Sequence, residues 1–156
     1  MSPILPRKPK HSKTQAHDRR AVCDKGLDMT DNNKTERPTG WMHYGGRLFR
    51  PVSTEGASDT SHETIFKYEQ KRDLLTGTYS GGNISYGQLI GLVSDAGRID
   101  MRYQHLTVEG DLKTGICWSI PEFLDNGKIR LHEKWRWTSG QNRDEPSSGR
   151  SILEEL

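Results

Sequence analysis

The sequence predicts an all-β fold, an antiparallel up-and-down barrel of about seven or eight strands preceded by a disordered leader. Three observations lead there. Segments of period-two alternation recur from residue 47 to the C-terminus; the breaks between them are short and rich in Gly, Asn and Asp; and no stretch keeps the apolar spacing of an amphipathic helix. Short turns make neighbours in sequence neighbours in space, and closing the sheet removes its two exposed edges.

Gly45-Gly46 precedes a first strand, Arg47–Val52, whose Pro51 lacks a ladder donor and belongs on an edge or at a strand end. The small polar run Ser53–Ser61 reads as a loop. Glu63–Glu69 places Thr64, Phe66 and Tyr68 on one face, and Gln70-Lys71-Arg72-Asp73 turns the chain into Leu74–Tyr79. After the Gly81-Gly82 turn, Ile84, Tyr86, Gln88, Ile90 and Leu92 share one parity against Ser85, Gly87 and Gly91, which predicts a strand packed on the first set. Ser94-Asp95-Ala96-Gly97 is a hairpin signal. Arg98–Thr107 then points Ile99, Met101, Tyr103 and His105 inward. Glu109-Gly110-Asp111 reverses into Leu112–Ile120, with Leu112, Thr114, Ile116, Trp118 and Ile120 expected inside, opposite Lys113, Gly115, Cys117 and Ser119. Pro121 is expected to end that strand. Asp125-Asn126-Gly127 turns into Lys128–Thr138, whose Ile129, Leu131, Glu133, Trp135 and Trp137 face in. A polar loop, Ser139–Gly149, leads to Arg150–Leu156, read as a short strand or one helical turn. The repeated Asp-Leu-x-Thr-Gly at Asp73 and Asp111 is expected to start two equivalent strands, with Gly77 and Gly115 where a barrel bends.

Charge divides the chain unevenly. Residues 1–40 carry nine Lys and Arg against five Asp and Glu, and the remainder fourteen against sixteen. The mild basicity therefore belongs to the leader, and the domain at 42–156 lacks the basic face that nucleic-acid binding needs. Residues 1–41 have isolated apolar residues at no regular spacing, too few to offset ordering entropy, so they read as disordered. A start at Met29 or Met42 would place them upstream of the true reading frame. Only 31% of the chain is apolar, and no run approaches a membrane span or a secretory signal. A cytoplasmic protein with no membrane contact is expected. Cys23 and Cys117 cannot staple the fold, and neither CxxC nor paired-His spacing points to a metal. No nucleophile elbow, phosphate loop or dinucleotide fingerprint occurs, so neither a catalytic constellation nor a cofactor is predicted.

The informative residues are polar or aromatic groups on the expected inner parity: Tyr68, Tyr86, Gln88, Tyr103, His105, Glu133 and Trp135. A buried carboxylate or amide without a partner costs several kcal/mol, so an ordinary core would avoid them. A barrel of about eight strands is just wide enough for one small ligand, and aromatic walls with a few convergent polar groups suit one. The tyrosines and tryptophans serve equally as plain core. His105 is either a structural group satisfied by a carbonyl or a ligand contact. Glu133 should be paired, to His105 or an arginine, or else protonated by burial. Cys117, on the small-residue face, reads as inert.

The motifs Tyr79-Ser-Gly-Gly-Asn-Ile through Gly87-Gln-Leu-Ile-Gly-Leu-Val, Met101-Arg-Tyr-Gln-His, Thr114-Gly-Ile-Cys, Gly127-Lys-Ile-Arg-Leu-His-Glu-Lys-Trp and Trp137-Thr-Ser-Gly to Ser151-Ile-Leu-Glu-Glu carry a resemblance over residues 44–156. They resemble a family of short bacterial proteins that go by the name N-acetylglutamate synthase. That resemblance implies acetyl transfer from acetyl-CoA to glutamate. The strand pattern is also similar to lipocalin-like barrels, which implies a ligand in the lumen. The leading expectation is a barrel that binds a small, partly apolar molecule with its polar end near His105 and Glu133. The alternatives are the acyltransferase and a structural or partner-binding module that uses a sheet edge or the leader. Whether a reaction is catalysed, and the oligomeric state, stay open at this stage.

Overall fold

A computed structural model describes residues 42–139 and 148–156. The expected leader, 1–41, and most of the expected polar loop, 140–147, lie outside the described residues. Within them every regular element is a strand: β1 Leu48–Glu55, β2 Ile65–Lys71, β3 Leu74–Gly81, β4 Ile84–Val93, β5 Ile99–Thr107, β6 Leu112–Phe123, β7 Ile129–Trp137 and β8 Ser148–Glu155. They form a closed antiparallel barrel in sequence order, with β8 pairing back onto β1. The up-and-down topology predicted from the turns is therefore what forms.

The last segment is a full strand and not a helical turn; it closes the barrel by pairing with both β1 and β7. β1 runs on to Glu55 through residues expected in a loop, because β8 offers it a partner as far as the Glu55–Arg150 pair. Pro51 sits where β1 leaves β2 and where its register against β8 shifts, a place that tolerates a missing donor. β6 likewise passes through Pro121 to Phe123. Beyond Ser119 it has left β5 and pairs with β7 alone, so the proline lies on a stretch with one free edge.

Two strands present the face opposite to the one their hydropathy predicts. In β4 the pairing with β5 jumps from Ile84–Thr107 to Tyr86–Leu106, so Ser85 is an extra residue. A one-residue slip flips every later side chain, and Gly87, Leu89, Gly91 and Val93 point inward while Tyr86, Gln88, Ile90 and Leu92 face solvent. In β6 the lumen takes Gly115, Cys117 and Ser119, and Trp118 and Ile120 lie outside.

Volume sharing between neighbouring strands explains both inversions. Each inward glycine stands directly across from a large side chain: Gly77 from Tyr68, Gly87 from Tyr79, Gly91 from Met101, Gly115 from Tyr103 and Gly149 from Trp135. A Cβ on Gly87 would collide with the Tyr79 ring, and one on Gly115 with the Tyr103 phenol. Small and large residues thus alternate around the barrel, which lets aromatic rings lie flat across neighbouring strands and fill a narrow interior. Gly77 and Gly115, the two copies of the repeated motif, both occupy such positions.

One end of the barrel is plugged. Met42 and Tyr44 tuck beneath it, Tyr44 packing on Phe49 and Tyr68 at ring distances of 6.3 Å and donating its hydroxyl to the Gly97 carbonyl at 2.5 Å. Leu75, Ile99, Ile129, Leu131 and Leu153 complete this apolar floor. At the other end lie the β3–β4 and β5–β6 turns and the long β1–β2 connection, residues 56–64. That end carries the polar chemistry.

Candidate functional site

The lumen keeps a cavity of about 50 Å³ between the apolar floor and the β1–β2 connection. Its middle layer brings together Tyr68 from β2, Tyr103 from β5, Cys117 from β6, Glu133 from β7 and Ser151 from β8. Phe66, Tyr79, Trp135 and Trp137 form the aromatic wall nearer the mouth, with Phe66 stacked on Tyr79 at 4.7 Å. Ser58 and Thr60 of the connection cover it from above.

Glu133 lies on the inner face of β7 because the Ile129–Trp137 alternation is unbroken. It is only 8% exposed, and its Oε1 accepts a hydrogen bond from Ser119 Oγ at 2.9 Å across the β6–β7 pair. Burial raises its carboxyl to about 7, against the smaller opposing pull of the Ser119 hydroxyl and the Cys117 thiol. Among the described residues neither His105 nor an arginine pairs with it, and a neutral hydroxyl stands where the sequence led one to expect such a partner. Cys117 lies inside the barrel rather than on the outer face, and burial beside Glu133 pushes its thiol well up.

Tyr68 is fully buried, and its hydroxyl is the one buried side-chain polar atom without a hydrogen-bond partner among the described residues. Buried hydroxyls are almost always satisfied, so an orphan that lines a cavity marks a place where something else can bond. Burial also raises the Tyr68, Tyr79 and Tyr103 phenols well above the ordinary tyrosine range, and all three stay protonated.

At the mouth, a relay fixes the cover. Asp59 of the β1–β2 connection meets His105 Nε2 at 3.0 Å and Lys113 Nζ at 2.8 Å, and His105 Nδ1 meets the Tyr79 hydroxyl at 3.0 Å. Burial works to raise the Asp59 carboxyl, but the Lys113 and His105 hydrogen bonds outweigh it and hold the group below its usual range. An ionised Asp59 can only accept, so His105 Nε2 carries the proton and Nδ1 accepts from Tyr79. Burial lowers His105 despite Asp59, which keeps the ring neutral. Trp137 pins the same cover by donating its indole N–H to the Ala57 carbonyl at 2.9 Å, while Lys113 lies 5.4 Å above its ring.

Of the residues singled out in the sequence, Tyr68, Tyr103, His105, Glu133 and Trp135 line one cavity. Tyr86 and Gln88 do not; the Ser85 bulge turns them to the outside, where Tyr86 is 54% exposed. Sequence reading missed Asp59, Ser58 and Thr60, in a small polar loop with no period to place them, and Ser119, Ser151 and Cys117, whose inward parity is hidden by their size. For Cys117 and Ser119, the sign that could have found them was Gly115 on the same parity, facing a predicted inner tyrosine.

Residues 42–156 match the family model described as Avidin-like protein. No curated protein matches the chain. Neither that match nor the lumen supports the acetyl transfer implied by the resemblance noted from the sequence: Gly81 and Gly82 form a hairpin turn, and no described helix offers its N-terminus to a pyrophosphate.

Proposed function

The chain belongs to the avidin-like protein family, and from that footing we propose that it holds a small, partly apolar molecule inside the barrel, under the β1–β2 connection. Barrels of this family bind small molecules, which supports the reading. The observation that carries it is the orphan hydroxyl of Tyr68, fully buried yet facing a cavity whose walls are aromatic. Both ring nitrogens of His105 are already engaged, so the polar end of the ligand belongs at Tyr68 and Glu133, one layer deeper than the sequence alone suggested.

The molecule enters past residues 56–63. A cavity of about 50 Å³ is far below the roughly 300–1,000 Å³ of a drug-sized site, so anything larger than a compact head requires that cover to lift. The test is a titration of a metabolite panel that includes biotin, read by the fluorescence of Trp135 and Trp137 and by thermal shift. A true ligand at a hundred times its Kd adds about 2.7 kcal/mol of stability and raises Tm measurably. Tyr68→Phe should weaken that ligand about tenfold or more while the protein stays folded, as expected when a hydrogen bond to a buried group is lost. A panel with no member that shifts either signal overturns the proposal.

A further inference from the structure

We propose that the ligand of this lumen carries a compact protonated amine, an alkylammonium head that donates its N–H groups to the Glu133 carboxylate and the Tyr68 hydroxyl within the aromatic wall. This names the ligand class for the site proposed above and rests on that reading.

The charge pattern of the lumen points to a cation. Among the described residues Glu133 is the sole carboxyl lining the cavity, and no lysine, arginine or histidine pairs with it. Lys113, over the Trp137 ring at the rim, is committed to Asp59. His105 is held neutral between Tyr79 and Asp59. A carboxylate buried without a counterion is costly, and it is relieved either by taking up a proton or by receiving a cation.

The walls have the matching polarity. Tyr103 shares the carboxyl-bearing layer and Phe66, Tyr79 and Trp135 line the cavity nearer the mouth, and aromatic faces attract ammonium groups most when solvent is absent. Trp137 already does so at the rim, with the Lys113 ammonium over its ring. The Tyr68 oxygen supplies a second acceptor, which a quaternary ammonium could not use but a primary amine can. Size agrees as well. About 50 Å³ is room for a few waters, or an ammonium with one or two carbons, by the roughly 10–15 Å³ that one water needs.

The experiment compares ethylamine, cationic at neutral pH and within the size the cavity admits, with ethanol, which has the same number of heavy atoms and no charge. Each is titrated into the wild type and into Glu133→Gln, which keeps the shape and removes the charge, and binding is followed by Trp fluorescence and calorimetry. The amine should bind the wild type at least tenfold more tightly than the alcohol, and Glu133→Gln should erase that preference. Tyr68→Phe should cost the amine several-fold while leaving a clear cationic preference. Equal binding of both probes, or an amine preference that survives Glu133→Gln, overturns the ligand class but leaves the lumen-binding reading standing. So does binding of a neutral metabolite by a protein that ignores the amine. If neither probe nor any metabolite binds folded protein, both readings fall together.

Discussion

Glu133 should make this barrel lose stability as pH rises, and Glu133→Gln should cancel the loss. In the folded barrel the carboxyl is raised to about 7, against an ordinary value of 4.5 that serves for the unfolded chain. Between those values the folded state keeps a proton that the unfolded chain has released. The stabilising contribution is therefore complete below the unfolded value and declines as pH climbs through the folded one. Each pH unit in that window costs about 1.4 kcal/mol, so the accumulated loss is about 3 kcal/mol by pH 8. Gln keeps the oxygen that accepts from Ser119 and removes the titration. The assay is urea unfolding of both proteins, without ligand, at intervals from pH 5 to pH 8. Near pH 5 the variant should be equal or about 1 kcal/mol less stable, the worth of one altered hydrogen bond. At pH 8 it should be more stable by about 2–3 kcal/mol, or roughly 10 °C in Tm for a domain of this size. His105 and Asp59 titrate in both proteins, and the difference between the two curves removes them. Parallel curves would mean that Glu133 is ionised at little cost, and the account of the lumen as a dry, uncompensated site would fail.

Three further outcomes test other parts of the structure. Arg72 holds φ at 58° in the β2–β3 turn, a left-handed geometry that L-residues adopt at a cost, and Arg72→Gly should stabilise the protein by up to about 1 kcal/mol in urea midpoint measurements. Gly115→Ala places a methyl against the Tyr103 phenol and 2.8 Å from the Arg136 carbonyl oxygen, and should cost about 1–3 kcal/mol; shortening the partner in Gly115→Ala/Tyr103→Leu should return part of it, and a fully additive double mutant would refute the paired-volume account. Asp59→Asn removes the charge that gathers Lys113 and His105, so amide exchange across residues 57–61 should quicken at least several-fold relative to the strands. Because Asp59 is held below its ordinary 3.8, the wild-type cover should stay protected until pH falls below that value, where protonation withdraws the contribution.

How much of this barrel could be read from the chain depended on whether a strand carries its own volume. β5 and β7 were legible because Ile99, Met101, Tyr103 and His105, and Ile129 through Trp137, fill the lumen from their own side, so apolar character and inward direction coincide. β6 misled because Met101 and Tyr103 on one side and Trp135 on the other occupy the space in front of it, leaving room only for Gly115, Cys117 and Ser119. Its larger apolar residues, Trp118 and Ile120, are consequently on the outside. β4 adds the Ser85 bulge, which no hydropathy pattern reveals because it arises from pairing with β5. Asp59 was illegible for another reason: it meets His105 across 46 residues of sequence through a loop with no period. In a narrow barrel, then, inward direction belongs to cross-strand pairs rather than to single strands. A glycine two or four residues from another small residue, on a strand flanked by ones that carry large side chains, is the mark of a lumen face. Applied to Gly87/Leu89/Gly91 and to Gly115/Cys117/Ser119, that rule recovers both inverted strands and with them the partner of Glu133.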